Sequence, residues 1–485
     1  MSELQTLDEE GKKISESKPE YSELETDPEK TEDPLSKNFI EESEDNDGEN
    51  RNLKEEDKVS LFSIIITIMK GMIGFGILNY PFAFKTLGFK YCLLSICIVV
   101  ILIIFSVYFL LKAKDVTQRY GYSVYSKLSF GTSGTIIMMI TMISNCFFVC
   151  CIYLKLFGNI LRTLLLIFIN DNGQVYLKEN FLVFSIFIIL LPLMFKKDIS
   201  ALSKYALIGI ISIIIFICSL IIVFIYKLNN GEISPIKDNN FNINGTFIEI
   251  FESSTAITNS FNFHPNIFPI YLTLKSRSTI NMVKGTTIAV SLTSVIYILT
   301  GILGFLIYRE KINDFLLKYF TNDILTYLKT DGFIASVLII SEIGFFISTS
   351  LSMPLLFFAC KNNFFNLIRF IKKKFSNKEN LSSGLIDNKN KRVSLSSFGQ
   401  SVIIIVIYIS MLILAVTVDK IIIIDNIVGS TASNIIIFLA PAFFYLKFGK
   451  EKIFSIQKIM AILFMILGSG ITILFIKIQI DKILT

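Results

Sequence analysis

The chain has 485 residues, of which 52% are hydrophobic and only 18% charged, with a mean hydropathy of +0.62. That balance excludes an ordinary soluble globular protein and points to a chain that crosses a membrane many times. The net charge of +6 hides an asymmetry: residues 1–58 hold 21 acidic and 8 basic side chains, so the remainder carries +19. Dispersed between apolar spans, that excess suits loops facing anionic lipid headgroups and argues against a nucleic-acid partner.

In chain order, residues 1–58 come first, rich in Glu, Asp, Ser and Lys. They carry too little apolar surface to offset the entropy of ordering and are predicted to be a disordered cytosolic tail. No cleavable signal pattern opens the chain, so the first span directs insertion. Residues 59–485 read as one all-α integral membrane domain. About eleven spans are predicted, at approximately 60–80, 90–112, 134–160, 180–196, 203–226, 249–272, 285–308, 332–358, 398–418, 427–446 and 454–476. The alternative is ten, if the short fourth segment "FLVFSIFIILLPLMF" does not cross. With the N-terminus in the cytosol, the cytosolic loops carry more Lys and Arg than the outside ones, the sign the positive-inside rule requires. The bias is moderate, because the loop after span 7 carries Arg309, Lys311, Lys318 and Lys329 on the outside. Two sequons test this topology: Asn244-Gly245-Thr246 is predicted outside or luminal, and Asn380-Leu381-Ser382 cytosolic.

All seven cysteines (Cys92, Cys97, Cys146, Cys150, Cys151, Cys218 and Cys360) fall inside apolar segments. No loop pair or metal-ligand spacing is present, so they read as packing residues, and no cofactor is implied.

The first span, "TIMKGMIGFGILNYPFAF", is spoiled by Lys70, Gly71, Gly74, Gly76 and Pro81. The sixth, "SSTAITNSFNFHPNIFPIY", is spoiled in turn by Asn259, Asn262, His264, Pro265 and Pro269. Glycine and proline also serve packing and kinking in membrane helices. If spans 1–5 and 6–10 are two repeats, however, both interruptions fall in the first helix of a repeat. Matching broken helices mark a transporter binding site, because unwound backbone survives in a bilayer only where it lines a polar cavity.

These residues carry a family resemblance. "GFGILNYPFAFKTLGF" resembles the first span of the amino acid/auxin permease family, and "FNFHPNIFPIYLTL" its sixth. "YSVYSKLSFGTSG", "STSLSMPLLFFACKNNF" and "IVGSTASNIIIFLAPAFFYLKF" are similar to its loop 2–3, eighth span and tenth span. The resemblance covers about residues 60–476, and the nearest branches are the sodium-coupled neutral amino acid transporters and their vacuolar relatives. It implies an eleven-helix chain with a five-plus-five inverted repeat and broken helices 1 and 6. It also implies secondary active transport of an amino acid substrate by alternating access, in a plasma, vacuolar or lysosomal membrane.

At these positions, freed N–H groups around Ile73, Gly74, Phe75 and Gly76 suit a substrate carboxylate. Freed carbonyls and hydroxyls near Thr258, Ser260 and Asn262 suit its ammonium, and Phe75, Phe261 and Phe263 are candidates to close over it. In the sodium-coupled branch an asparagine stands where Lys70 is, with span-8 hydroxyls completing the ion site; here Ser348, Thr349, Ser350 and Ser352 match that region. Lys70 is therefore read in three ways: as a sodium surrogate or proton carrier, as the partner of a buried acid such as Glu342, or as a side chain snorkelling to the interface. The first reading predicts sodium-independent and proton-coupled transport. His264, the sole histidine, is either a proton-sensing group or a helix-ending residue bonded to backbone. Glu342 is a further intramembrane acid to place.

An enzyme would need His/Asp or paired acidic motifs, and a channel would need pore loops or charged rings; neither is present. An amino acid-binding receptor with little flux is the standing alternative to a transporter.

Overall fold

The computed structural model describes residues 58–169, 178–195, 199–233, 241–312, 315–382, 396–418, 421–452 and 454–484. The tail assigned to residues 1–58 lies outside them except for Lys58. Helix is the only regular structure among the described residues, apart from one isolated parallel bridge between Val59 and Leu274. Among the described residues, eight helical stretches are long and apolar enough to cross a membrane, including Phe75–Thr117, Thr279–Tyr308 and Ile424–Phe448. Two shorter apolar helices, Leu61–Met72 and Glu179–Met194, join them.

Helix α1 (Leu61–Met72) starts at Ser60, whose side chain caps the Ser63 amide, and stops at the extended residue Ile73. After Gly74 the chain rewinds as a 3-10 turn, Phe75–Asn79, which runs into α2 (Tyr80–Thr117) with Pro81 in its first turn. Proline there costs no helical bond, since first-turn amides have no acceptor. Gly88 bends α2 at φ 70, and a Cβ there would lie 2.7 Å from the Asn242 carbonyl carbon, so only glycine fits this corner. The corner separates the second half of span 1 from span 2. Gly131, at φ 65, makes a similar corner in α3 (Tyr122–Leu166). Two helices follow, α4 (Glu179–Met194) and α5 (Ile199–Asn229).

Helix α6 (Phe247–Ser260) opens on a capping box between Thr246 and Glu249. It breaks at Phe261–Phe263, passes through a 3-10 turn at His264–Asn266 and resumes as the short α7 (Ile267–Thr273). Helix α8 (Thr279–Tyr308) follows. The basic loop after it folds into α9 (Leu317–Thr330), whose Leu317, Phe320, Ile324 and Tyr327 recur at helical spacing and are buried. The remaining helices are α10 (Gly332–Ser382), α11 (Ser397–Thr417), α12 (Ile421–Val428), α13 (Ala440–Phe448) and α14 (Ile456–Leu484). Two π-helical turns, Gly429–Ser433 and Ile435–Leu439, join α12 to α13.

The apolar residues divide as a bilayer demands. In α5, Ile208, Ile211, Ile214 and Ile215 are exposed while Ile213, Phe216 and Leu220 are buried. An exposed isoleucine stripe costs nothing where the solvent is hydrocarbon. The broken segments lie at the centre: Ile73, Phe261 and Ile267 are each 0% exposed.

Both ends of the bundle are tied across the breaks. Val59 donates to the Thr273 carbonyl at 2.9 Å and accepts from the Lys275 amide at 3.1 Å. That pairs the chain entering α1 with the chain leaving α7. At the opposite end the Leu316 amide donates to the Leu78 carbonyl at 3.1 Å. There Lys227 pairs with Asp323 at 2.7 Å, and the Tyr308 hydroxyl donates to the same Asp323 oxygen, also at 2.7 Å.

Candidate functional site

The two breaks meet. A Cβ on Gly76 would lie 2.6 Å from the Ser260 Cβ and 2.9 Å from its Cα, so the absent side chain lets the second half of span 1 touch the end of α6. Ending α1 and α6 in mid-bundle leaves their last carbonyls without helical partners. The Tyr297 hydroxyl of α8 reaches two of them, Met72 and Ser260, each at 2.9 Å. Tyr80 stacks on the Tyr297 ring at 4.6 Å and hydrogen-bonds the Ser260 hydroxyl at 2.7 Å.

Beside this junction is a cavity of about 50 Å³. At ~10–15 Å³ per water-sized probe it has room for a few waters or a small polar headgroup. Its wall holds Gly74, Phe75, Gly76, Ser260 and Asn262, all expected from the sequence. Ile73, Thr258, Phe261 and Phe263 are not in that wall. Ile73 turns its carbonyl toward Lys70, and the Thr258 hydroxyl returns to the Ser254 carbonyl at 3.0 Å. Phe261 packs edge-on against Tyr297, and Phe263 is buried beside His264.

Asn145, Tyr153, Asn259 and Asp425 also line the cavity, and none was expected to. The Tyr153 hydroxyl occupies the place a Cβ on Gly74 would take. Around Ser433, from the π-turn, three carboxamides converge. Its hydroxyl donates to Asn259 Oδ1 at 2.6 Å and accepts from Asn145 at 2.6 Å and Asn262 at 3.1 Å. The chain of bonds ends on a carboxylate: Asn259 donates to Asp425 Oδ1 at 2.7 Å, and Asn79 to Oδ2 at 3.0 Å. Asn262 Oδ1 is buried with no hydrogen-bond partner among the described residues. A buried acceptor left open in a cavity wall is a place for a ligand's N–H.

Lys70 sits behind this wall, 2% exposed. Its ammonium lies 2.8 Å from Ser348 Oγ, 2.6 Å from Ser352 Oγ and 3.4 Å from the Ile73 carbonyl. An ammonium has three protons, and these three oxygens can take them. Glu342 is not among these oxygens; it is 1% exposed and neither of its carboxyl oxygens is hydrogen-bonded within the described residues. Snorkelling does not describe this side chain, which points into the bundle against Gly209, where a Cβ would come within 2.7 Å of Lys70 Cδ. The Thr349 hydroxyl returns to the Phe345 carbonyl at 2.8 Å, and Ser350 Oγ is buried without a partner among the described residues.

His264 is wholly buried, with Nε2 at 2.9 Å from Ser106 Oγ. Ser106 spends its one proton on the Ile437 carbonyl at 2.6 Å. The histidine must therefore donate, which sets a proton on Nε2. His264 thus ties the second break to α2 and to the π-turn of span 10. No cluster of metal-ligating side chains is present among the described residues.

Residues 57–480 match the family described as transmembrane amino acid transporter protein. The chain belongs to that family. It is 28% identical to amino acid transporter AVT6C of Arabidopsis thaliana over 54% of its own length, and spans 62% of that relative. It is 25% identical to sodium-coupled neutral amino acid symporter 2 of Danio rerio, over 83% of the chain and 79% of the relative. Identity to sodium-coupled neutral amino acid transporter 4 of Rattus norvegicus is 24%, over 83% and 80%. The family and these relatives are transporters, not enzymes, and the multi-pass membrane reading of the sequence agrees with them.

Proposed function

We propose that this chain is a secondary active amino acid transporter that works by alternating access without sodium, with a proton as the coupling ion. Eleven spans in a five-plus-five inverted repeat would carry the site between broken helices 1 and 6. The substrate carboxylate would meet the amides opening the helical run Phe75–Thr117, where the helix dipole favours an anion. The open Asn262 Oδ1 and the Ser260 hydroxyl would face its ammonium. Ties at both ends of the bundle suit a closed intermediate, from which either the Val59–Thr273 side or the Lys227–Asp323 side opens.

The observation that carries sodium independence is the place of the Lys70 ammonium. It lies among two span-8 hydroxyls and a carbonyl of the first break, the oxygen types a bound sodium ion takes. A tethered cation there fills the site and holds α1 to α10. The N-terminus would be cytosolic, in a plasma, vacuolar or lysosomal membrane.

The test is uptake of a labelled amino acid panel into proteoliposomes under a sodium gradient, a proton gradient and neither, for wild type and Lys70→Asn. Wild type is expected to respond to protons and not to sodium. Lys70→Asn is expected to lose most uptake in sodium-free buffer and to regain part of it when sodium is added. Strict sodium dependence of the wild type would sink the role given to Lys70. Saturable binding with no flux under any gradient would favour an amino acid receptor.

A further inference from the structure

The cavity wall carries a negative charge that its own residues do not balance. Asp425 lines the cavity and is 4% exposed. Both carboxyl oxygens accept from carboxamides, Asn79 on one and Asn259 on the other. Two N–H donors, one per oxygen, hold the group as a double acceptor, the form of a carboxylate. Among the described residues, no lysine, arginine or histidine lines the same cavity. Lys70, the basic residue nearest in sequence to the lining residue Gly71, points its ammonium at Ser348, Ser352 and the Ile73 carbonyl. An intramembrane carboxylate is costly and is normally compensated by a positive charge. Carboxamides satisfy its hydrogen bonding and supply no charge.

We propose that the missing charge is the side chain of the substrate, and that this site takes amino acids with an unbranched cationic side chain, of the lysine and ornithine type, with Asp425 as their counter-ion. The proposal rests on the transport reading above and adds the substrate class. The position of Asn79 along the first span suits a side-chain role for this charge. Asn79, which holds Asp425, lies four residues beyond Phe75 in a 3-10 turn. At ~2.0 Å per residue that is about 8 Å further along the axis from the amides that face the carboxylate. The amine nitrogen and carboxyl carbon of an amino acid head are only about 2.5 Å apart. Asp425 is also bonded to Asn259, beside Ser260 at the junction of the breaks, and a chain of a few methylenes running from a carboxylate at Phe75 toward Asn79 brings a side-chain ammonium to it. Met72, Val149, Ile152 and Leu356 line the same cavity, which in this closed form admits only a headgroup, and offer apolar surface to such a stem once the cavity widens.

The test compares lysine with norleucine, and arginine with citrulline, pairs matched in shape and unmatched in charge. Labelled uptake by the purified full chain in proteoliposomes is measured for wild type and Asp425→Asn. Wild type is expected to favour the charged member of each pair. The lysine-to-norleucine ratio of kcat/KM is expected to fall roughly tenfold to a hundredfold in Asp425→Asn, the loss typical of a hydrogen bond to a charged group. Wild type that prefers norleucine and citrulline overturns the proposal without any variant, so it stays testable if Asp425→Asn does not fold. An unchanged ratio in a folded Asp425→Asn also overturns it; if that variant has lost its response to a proton gradient as well, Asp425 belongs to the proton. Uptake of neutral amino acids alone removes the cationic class and leaves the transport reading standing, whereas no uptake of any amino acid removes the transport reading itself.

Discussion

Tyr297 and Gly76 hold the junction of the breaks together by opposite means, one by adding an atom and the other by lacking one. The Tyr297 hydroxyl lies 2.9 Å from each of two carbonyls left open where α1 and α6 stop. Tyr297→Phe keeps the ring stack on Tyr80 and removes only that hydroxyl. The hydroxyl's one proton is shared between the two carbonyls, and leaving a buried carbonyl without it costs about 1–3 kcal/mol, so the variant is expected to unfold in detergent at a temperature several degrees below wild type. An unchanged midpoint would mean that water reaches those carbonyls. Gly76→Ala adds a methyl at 2.6 Å from Ser260 Cβ, a contact that the backbone on both sides must yield to. It is expected to abolish uptake while leaving the protein expressed, as read by transport per unit of purified chain. Retained uptake would show that the two halves do not need this approach. Gly76 and Lys70 were legible in the sequence because glycine and lysine are out of place in an apolar span. Asp425 was equally conspicuous in "IIIIDNIVGSTASN", but the tenth span was placed from 427, which put the acid in a loop. Asn145 and Tyr153 gave no signal, since a polar residue in span 3 shows its role only when the chain brings it beside Gly74 and Asn262.

At the scale of elements, apolar runs announced most helices because their period and length are local properties. Two features depended on long-range contact. The basic loop after span 7 gave no hint of α9, whose apolar positions matter only because they pack down onto the bundle, and whose approach lets Leu316 reach the Leu78 carbonyl. The pairing of Val59 with Thr273 and Lys275 was likewise unreadable, lying between residues more than 200 positions apart. That pairing ties the start of the first broken span to the end of the second. Val59→Pro removes the amide that donates to Thr273 and leaves the apolar surface almost intact. Faster hydrogen exchange is expected at residues 273–277, with α11 amides unchanged. Equal exchange in wild type and variant would show that the bridge is not what closes this end.

On the scale of the whole molecule, the two sequons place the ends of these helices relative to the membrane. Asn244 is exposed, and its backbone amide is fixed to the Thr86 carbonyl at 3.0 Å at the end where α6 begins. Asn380 falls near the end of α10, after the basic run Lys372–Lys374; its side chain lies outside the described residues. An odd number of crossings, spans 6, 7 and 8, separates the two in an eleven-span chain, so they must lie on opposite faces. Positive residues favour the cytosolic side, so Asn380 is expected there and Asn244 outside. The expected result is a glycosidase-sensitive mobility shift that Asn244→Gln abolishes and Asn380→Gln leaves untouched. An epitope tag on residue 1 is expected to be digested from the cytosolic side, which reads the same topology without any glycan. Modification of Asn380 would invert the orientation, exchanging the sides to which the Val59 and Lys227 ties open. Modification of both would require an even number of crossings between them and remove the five-plus-five repeat. Which compartment each of the two ties opens to therefore rests on which of these two asparagines is glycosylated.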